Sequence, residues 1–347
     1  MSDGPAANGG SDGVPEVSVL LANYNAAPFI EACLRSILDQ TLSALEVILV
    51  DDVSTDDGLA IARRVAADDR RVRVVAMVAN GGPAAARNRA LDLARGRFVA
   101  IVDSDDLLHP SRFARLVAAA DEMGADMVAD DQLVFDDGSA APPHRFLKAA
   151  DRAGPFHLDL DDYLRRSVLY GPEPAPGFLK PVIRRDALLG AGVRYDETLR
   201  IAEDDDLVAR LLLAGLDYRV VPTPWYWYRK HGRSISHRLT LAAVEAMQAA
   251  DARLAAAVTS LRPDLAGRMA TRRRALDKVV AFERTIAALK ARAPFRAAAL
   301  LARHPAAVPM LRMPLAGLMR RLWRPPVDMA VTPVSQQAEL HRATGRT

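Results

Sequence analysis

Cysteine, long apolar runs and secretion signals are scarce or missing in this sequence, and each shortage excludes a class of protein. Cys33 is the single cysteine in 347 residues, so no internal disulfide can form and a disulfide-stapled secreted domain is excluded. No stretch reaches the ~18 uninterrupted apolar residues of a membrane-spanning helix. The opening MSDGPAANGGSDG has neither the basic nor the apolar segment of a signal peptide. We expect a cytoplasmic protein, either soluble or peripheral at the inner face of the cell membrane.

Two phosphate-binding signatures are also absent. GxGxxG does not follow the first apolar run, where a dinucleotide-binding fold would carry it, and GxxxxGK[ST] occurs nowhere in the chain. These absences argue against a redox enzyme with a dinucleotide cofactor and against a P-loop protein.

The composition is that of a globular protein with an uneven charge distribution. Hydrophobic residues make up 50% and charged residues 26% of the chain. Residues 262–324 contain 15 Lys/Arg and 3 Asp/Glu, a net charge of +12, while the rest of the chain carries −9. We predict flexible tails at 1–14 and 331–347, an α/β domain at 15–240 and a basic helical region at 241–330.

Strand-like and helix-like segments alternate through the first half of the chain. The strand-like runs are short, apolar and rich in β-branched residues, as expected of strands buried on both faces, and they cover 17–22, 46–50, 72–76 and 98–102. Between them, apolar residues recur at helical spacing over 29–42, 57–67 and 83–94. This alternation predicts a mostly parallel sheet flanked by helices, with ligands bound beyond the carboxyl ends of the strands.

Polar residues follow each of the four strand-like runs. These residues are Asn23–Asn25, Asp51–Asp56, Asn80–Gly82 and Asp103–Asp106. Because the carboxyl ends of parallel strands meet at one edge of a sheet, we expect the four segments to surround a single polar crevice.

Three Asp-x-Asp triplets occur, about the number that chance gives in so aspartate-rich a sequence, and position separates them. Asp159–Asp161 opens a predicted helix, which favours a capping role. Asp204–Asp206 lies in a helical stretch that begins near Glu203. Asp103–Asp105 follows a buried strand in the crevice. Carboxylates there favour Mg²⁺ or Mn²⁺, which in turn holds a diphosphate, and a solvated acidic turn is the alternative.

Other crevice residues suit a nucleotide. Asp52 can accept an N–H donor from a base such as uracil, and the ring of Tyr24 can cover the face of that base. Arg87 and Asn88 stand near the start of a helix after a Gly-Gly pair, where backbone amides and a guanidinium can meet phosphate oxygens. A surface position without ligand contact is the alternative for Arg87.

Together these motifs resemble family 2 glycosyltransferases of the GT-A fold. The resemblance runs from Val17 to Ser236 and is carried by VSVLLANYNAAPFIEACLRSILDQTLSALEVILVDDVSTDD, NGGPAAARNRALDLARGRFVAIVDSDDLLHP, AEDDDLVARLLLAG and YRKHGRSIS. GFLKPVIRR followed by GVRYDETLRIAEDDDLVARLL is similar, more narrowly, to the bacterial glucosyltransferases of succinoglycan-type exopolysaccharide assembly. The predicted fold class is therefore α/β, a GT-A nucleotide-diphospho-sugar transferase fold, with a C-terminal helical extension.

The resemblance also implies roles for individual residues. Asp52 resembles the residue that recognises the uracil of UDP, and Asp103 and Asp105 resemble the Asp-x-Asp motif whose last member binds the metal. His231 resembles a residue that approaches the metal or the diphosphate. Phosphate contacts are implied for Arg229, Ser234 and Ser236.

The catalytic base that the resemblance implies is Asp204, in a Glu-Asp motif. Two departures from the family pattern stand out: Val53 replaces a usual Gly, and Asp205 replaces a common Tyr, which leaves Asp204, Asp205 and Asp206 open on sequence grounds. A helix that begins near Glu203 places Asp204 in its first turn, where the amide dipoles favour a carboxylate. Three leucines form the buried stripe of this helix, so we expect Asp205 and Asp206 at or near solvent and Asp204 as the base.

The implied reaction is a metal-dependent, inverting transfer of a sugar from a UDP-sugar. Asp204 takes the proton of the acceptor hydroxyl, and Mg²⁺ or Mn²⁺ neutralises the UDP leaving group. The implied acceptor is a saccharide on polyprenyl diphosphate, and glucose is the expected sugar. The alternatives are a nucleotidyltransferase on a similar sheet and a non-catalytic nucleotide-sugar-binding module of the same α/β class.

The basic segment 262–324 favours a polyanionic partner. An anionic membrane surface attracts such a segment, and Trp225, Trp227 and Trp323 are candidate anchors at that interface. Nucleic acid is disfavoured, because the segment offers few aromatic platforms. A solvated helix bundle and helix contacts in a dimer are the alternatives.

Overall fold

The computed structural model describes residues 13–139, 141–233 and 239–312, and its first half alternates strands with helices. The strands are β1 (Val17–Asn23), β2 (Leu45–Asp51), β3 (Val72–Ala76) and β4 (Phe98–Asp103), each within one residue of the predicted run at either end. The helices between them are α1 (Ile30–Leu38), α2 (Gly58–Asp68) and α3 (Gly82–Leu93). α1 ends four residues earlier than predicted, and Gln40 in the following loop instead donates to the His109 carbonyl at 2.8 Å.

Further strands and helices complete the α/β part of the chain. The remaining strands are β5 (Leu107–Leu108), β6 (Met127–Asp136), β7 (His144–Arg145), β8 (Phe156–His157), β9 (Val182–Arg184) and β10 (Tyr218–Lys230). The helices among them are α4 (Arg112–Met123), α5 (Leu160–Arg166), α6 (Arg185–Gly190) and α7 (Glu203–Leu213). Asp159 caps α5 as predicted, because its side chain accepts a hydrogen bond from the Asp162 amide at 2.8 Å.

One mixed sheet runs through the described residues in the order β3-β2-β1-β4-β9-β6-β10-β5. β3, β2, β1 and β4 are successive parallel neighbours, whereas β9 pairs with β4 and β6 in antiparallel fashion. The register aligns Asn23 with Asp51 and Ala22 with Asp103. The polar residues that end β1, β2 and β4 therefore meet at one edge of the sheet.

Apolar side chains fill both faces of this sheet. Leu20 of β1 belongs to one buried cluster with Ile48 and Ile101, and the next residue, Leu21, belongs to a second cluster with Leu49. All five side chains are at most 1% exposed. Burial on both faces is what the unbroken apolar runs predict for parallel strands.

Three helices follow the sheet: α8 (Leu241–Leu261), α9 (Ala266–Lys290) and α10 (Pro294–Arg303). α8 and α9 join the main core through Leu254, Val258 and Met269, which share a buried cluster with Leu207 of α7. The basic helical region thus packs directly against the α/β part. In the part of the chain that the structure describes, no helix is both long and apolar enough to cross a bilayer. The predicted tail 331–347, and the N-terminal tail up to residue 12, lie outside the described residues.

Candidate active site

Asp51 and Asp52, at the end of β2, fix the loops around the crevice. Asp51 accepts hydrogen bonds from Asn23 Nδ2 and Ser54 Oγ at 2.6 Å each, which ties the end of β1 to the loop after β2. Asp52 is 3% exposed and accepts from the two backbone amides of Gly81–Gly82 at 2.6 and 2.7 Å. Asp52 therefore links β2 to the start of α3, and each of its oxygens keeps a second lone pair for a further donor.

The turn Asp103–Asp106 joins β4 to β5 and brings two predicted metal-site residues together. Asp105 Oδ2 lies 2.8 Å from His231 Nε2. His231 Nδ1 accepts from the Arg233 amide at 3.2 Å, so Nε2 carries the hydrogen that is donated to Asp105. The Phe29 ring packs against the imidazole, with ring centroids 4.4 Å apart. The imidazole is thereby held in place from three sides.

Arg229 and Asp106 hold this acidic turn against β10. Arg229 Nε donates to the Asp105 carbonyl at 2.8 Å, and the Arg229 amide donates to the Asp106 carboxylate at 2.7 Å. The second Asp106 oxygen accepts from the Tyr226 hydroxyl at 2.6 Å. Burial, followed by the charges of Asp105 and Asp103, raises the pKa of Asp106 well above its usual range.

Two buried cations, Arg87 and Lys180, connect the acidic turn to α7. Lys180 Nζ lies 2.8 Å from Asp103 and 2.6 Å from Asp204. Arg87 lies 2.5 Å from Asp103, and it also pairs with Glu203 and, at 3.3 Å, with Asp204. Asp103 and Asp204, which come from separate sequence motifs, therefore share both cations.

These charges shift the pKa values of the network. Burial acts to raise the pKa of Asp103, but Lys180 and Arg87 outweigh it and lower the value to about 2. Burial acts to lower the pKa of Lys180, yet the charges of Asp103 and Asp204 raise it overall. Burial raises the pKa of Glu203. At neutral pH, then, Asp103 is an anion and Lys180 a cation.

One oxygen of Asp204 is not fully engaged. Oδ2 accepts from Lys180, whereas Oδ1 has Arg87 at 3.3 Å and no hydrogen-bond partner of good geometry among the described residues. The Tyr195 hydroxyl lies beside the Asp204 carboxylate: burial, then the Asp204 charge and a hydrogen bond to Asp204, raise its pKa, although that bond falls short of good geometry. Asp204 Oδ1 is therefore able to accept a further hydrogen bond or a proton.

The other two acids of α7 are engaged away from this network. Asp205 pairs with Arg272 of α9 at 2.5 Å and accepts from a tyrosine hydroxyl of α5 at 3.0 Å. Asp206 pairs with Arg210, one turn further along α7, at 2.5 Å. Their side chains are 17% and 10% exposed, so the prediction that they lie at or near solvent is wrong. Helices α5 and α9 cover Asp205, and only Asp204 of the triplet contacts the cations of the acidic turn.

Comparison with known proteins decides the family. Residues 18–186 match the family model described as Glycosyl transferase family 2. Over 314 residues, 90% of this chain and 88% of the relative, the sequence is 36% identical to the succinoglycan biosynthesis protein ExoO of Rhizobium meliloti. The chain belongs to glycosyltransferase family 2. The succinoglycan biosynthesis protein ExoU of the same organism is 37% identical over 230 residues, 64% of either chain, so the predicted narrower similarity is also confirmed.

Two solved structures share the fold of this family 2 glycosyltransferase. S. aureus TarS 1-349 in complex with UDP-GlcNAc matches with a TM-score of 0.58 over 77% of this chain and 71% of that chain, at 22% identity. The mannosyltransferase PcManGT from Pyrobaculum calidifontis, in complex with GDP-Man and Mn²⁺, matches with a TM-score of 0.54 over 96% and 85%, at 20% identity. These likenesses confirm the predicted GT-A fold.

The remaining predicted residues of the glycosyltransferase differ in their surroundings. Tyr24 follows β1 and is 45% exposed. The Asn88 amide donates to the Tyr195 carbonyl and to an acidic side chain two residues on, and it accepts from the Tyr195 amide. Both side-chain amide hydrogens of Asn88 thus bind α3 to the loop that contains Tyr195 and Glu197. Ser234 and Ser236 lie outside the described residues.

Lys180 is the residue of this network that the sequence argument missed. Its backbone is fixed by a fully buried ion pair: Arg112 donates to the Lys180 carbonyl at 2.5 Å and lies 2.9 Å from Asp130. The one available signal was its place in GFLKPVIRR, the segment that carries the narrower family resemblance. Lysines in loops rich in Pro and Gly are usually exposed, so the composition of this segment predicts an exposed Lys180 rather than a buried one.

The residues present fit a divalent cation that is held jointly with a diphosphate. Asp105 supplies a carboxylate, whereas the two ring nitrogens of His231 are engaged by Asp105 and the Arg233 amide, and the Asp103 oxygens are occupied by two cations. Among the described residues, no three His, Cys, Asp or Glu side chains form a complete metal cage. Mg²⁺ commonly binds one or two carboxylates and takes its other ligands from water and substrate phosphates, so this donor set is sufficient.

Proposed function

We propose that the protein is an inverting glycosyltransferase that moves a sugar, glucose being expected, from a UDP-sugar to a hydroxyl of a growing exopolysaccharide repeat unit on polyprenyl diphosphate. Its relatives ExoO and ExoU are succinoglycan biosynthesis proteins, which supports the product class. The complex of TarS with UDP-GlcNAc supports the donor class. The observation that supports the proposal is the contact that Asp103 and Asp204 share with Lys180, since it brings the acidic turn close to a carboxylate whose Oδ1 has no well-formed hydrogen bond among the described residues.

The donor side of the site is assigned to residues at the carboxyl ends of β1, β2 and β4. Asp52 accepts the uracil N–H, and Tyr24 covers the base. Asp105, with Asp103 in the same turn, would hold Mg²⁺ or Mn²⁺, and His231 would join them by releasing its hydrogen bond to Asp105. The metal would supply positive charge to the departing diphosphate. Further phosphate contacts are assigned to Arg87, Arg229 and Ser234.

Proton transfer is assigned to Asp204. Its Oδ1 takes the proton of the acceptor hydroxyl as that oxygen forms a bond to the anomeric carbon. The bond between the anomeric carbon and the β-phosphate oxygen breaks on the opposite face, and its electron pair leaves with UDP. A single displacement of this kind inverts the anomeric configuration.

Replacement of Asp204 tests this assignment. We expect Asp204→Asn to lower transfer by about 10²- to 10⁴-fold, the usual contribution of a general base, while UDP still binds. Asp206→Asn is the matched control on the same helix, because Asp206 pairs with Arg210 and not with the crevice cations. Its transfer should stay within a few-fold of wild type. Transfer is measured as UDP released from UDP-sugars in the presence of a lipid extract from exopolysaccharide-producing bacteria, and UDP binding by calorimetry.

Several outcomes separate the competing functions. Transfer by Asp204→Asn at the wild-type rate would show that the base is assigned wrongly. Asp105→Ala is expected to lose the Mn²⁺-dependent part of UDP binding. Release of pyrophosphate in place of UDP would favour a nucleotidyltransferase, and donor binding without turnover by the wild type would favour a non-catalytic module.

We further propose that the basic C-terminal region holds the enzyme on an anionic membrane surface. Residues 284–312 contain six Lys/Arg and no Asp/Glu, and Phe295 at the start of α10 is 90% exposed. An exposed aromatic side chain flanked by cations suits the headgroup region of a bilayer. Of the predicted tryptophan anchors, Trp227 is 2% exposed inside the core, so its assignment is wrong. Trp225, on β10, is partly buried and packs against one of the buried core clusters, and Trp323 lies outside the described residues.

A further inference from the structure

The Lys180 ammonium bridges the acidic turn and α7. It lies within 2.8 Å of one oxygen of Asp103 and within 2.6 Å of one oxygen of Asp204. Its side chain is 8% exposed, so it is enclosed on most sides. An ammonium has three hydrogens, and these two carboxylates use two of them.

This position is built into the fold. Arg112 and Asp130 are both 0% exposed, and Arg112 donates to the Lys180 carbonyl. Gln132 donates to the Phe178 carbonyl at 2.6 Å in the same loop. A buried ion pair is a weak source of folding stability, because desolvation offsets its attraction. Its contact with the loop that carries Lys180 indicates that it serves to position that loop.

Charge in the crevice creates a need for such a cation. The acidic turn carries three carboxylates within four residues, and Glu203 and Asp204 stand beside it. A diphosphate that enters this crevice meets repulsion from these groups. The guanidinium of Arg87 already pairs with three acidic side chains, so it is less available to a further anion. A lysine ammonium is compact and can rotate its hydrogens toward a new anion.

We propose that Lys180 binds the diphosphate of the donor, an assignment that rests on the proposed function. Its third hydrogen donates to a diphosphate oxygen. When the sugar is transferred, the bond from the anomeric carbon to the β-phosphate oxygen breaks, and the electron pair stays on that oxygen, where the ammonium charge stabilises it. Lys180 keeps its protons, and Asp204 receives the proton of the acceptor. The same ammonium thus fixes the base relative to the leaving group.

Binding of UDP, UMP and uridine to the full-length protein separates a diphosphate contact from a structural role. We expect Lys180→Met to lower the affinity for UDP by about ten- to a hundredfold, the size of one charge-assisted hydrogen bond, and to leave uridine binding unchanged. Lys180→Arg keeps the charge and should recover part of the loss. Arg64→Met, at an exposed position of α2 outside every proposed site, is the control and should bind all three ligands like wild type. Calorimetric titrations are run in EDTA and again with Mn²⁺.

The ratio of UDP to uridine affinity decides the outcome. An unchanged ratio in Lys180→Met, whether both affinities fall together or neither falls, would overturn the proposal. If wild type itself fails to bind UDP, the proposed function is overturned, and the role of Lys180 with it. If thermal unfolding shows that Lys180→Met is not folded, the double variant Lys180→Met with Asp204→Asn is titrated against Asp204→Asn alone. The second substitution removes the Asp204 charge that Lys180→Met would leave without its cation.

Discussion

Val53 adopts a left-handed backbone conformation, with φ of 63°, directly after Asp52. A β-branched side chain is crowded in this region, whereas glycine enters it without steric cost. The family pattern that the sequence resembles leads one to expect Gly at this position, and the conformation supplies a physical reason for that expectation. The surrounding bonds impose the conformation: the Ser54 amide donates to Asp51 at 3.0 Å, and the Gly81 amide donates to Asp52.

We expect Val53→Gly to raise the free energy of unfolding by about 1 kcal/mol, because relief of left-handed crowding exceeds the entropy cost of glycine. Val78→Gly is the matched control. Val78 is fully exposed and has no positive φ, so only the entropy cost applies and stability should fall slightly. Urea denaturation followed by circular dichroism measures both variants. A loss for Val53→Gly as large as that for Val78→Gly would show that residue 53 is not strained.

Single residues of the candidate site differ in how far the sequence predicts them. Asp103, Asp105 and Asp204 stand in short motifs with a fixed order along the chain, so the sequence predicts candidate roles for them before the fold is known. Lys180 stands in an irregular loop, and its burial arises only because that loop packs between β4 and α7. Asp206 shows the opposite error, since the intrahelical pair with Arg210 covers a carboxylate that helical spacing alone assigns to solvent.

At the scale of helices and strands, Arg272 joins the C-terminal helices to the helix that carries the proposed base. The guanidinium is 9% exposed and donates to Asp205 of α7, to Asp251 of α8 and to the Ser167 carbonyl after α5. Asp205 is the immediate neighbour of Asp204. α8 and α9 therefore brace the first turn of α7 and are part of the site's support.

Removal of this guanidinium is expected to be costly. Arg272→Leu leaves Asp205 and Asp251 buried without their cation, and we expect the free energy of unfolding to fall by about 3–5 kcal/mol. Arg273→Leu, on the exposed face of α9, should change it by less than about 0.5 kcal/mol. Adding Asp205→Asn to Arg272→Leu should restore part of the loss. Equal melting temperatures for the Arg272 and Arg273 variants would contradict the bracing role.

The strands of the sheet are predictable from sequence, but the docking of α8 and α9 is not. β1 to β4 are buried on both faces, so an unbroken apolar run marks each of them. α9 is rich in Ala and Arg and has no simple apolar stripe. Which of its faces meets α7 depends on ion pairs such as Arg272 with Asp205, which only the tertiary structure reveals.

Over the whole molecule, the net charge divides between an acidic body and a basic C-terminal region. We expect Arg292→Glu with Arg296→Glu to weaken binding to phosphatidylglycerol vesicles by at least about 30-fold, because each basic residue near an anionic surface contributes ~1 kcal/mol. Arg63→Glu with Arg64→Glu, on exposed positions of α2, is the control and should bind like wild type. Vesicle sedimentation measures both. Equal binding by the two double variants would remove the proposed membrane role.

Point substitutions suit this question better than truncation. Deletion of the chain after residue 260 would also remove Arg272, so lost vesicle binding could not be told apart from a loosened core. A shift of molecular mass with Arg292→Glu and Arg296→Glu, without a change in vesicle binding, would favour the alternative of helix contacts in a dimer.

α9 runs as a single helix of 25 residues from Ala266 to Lys290. Arg272, near one end, pairs with Asp205 of α7. Lys290, at the other end and within the segment 284–312 proposed to contact lipid, lies roughly 27 Å away at 1.5 Å per residue. Because α9 is one uninterrupted helix, a change in the tilt of one end moves the other end as well. One helix thus connects the segment proposed to contact a bilayer with the helix that carries the proposed proton acceptor.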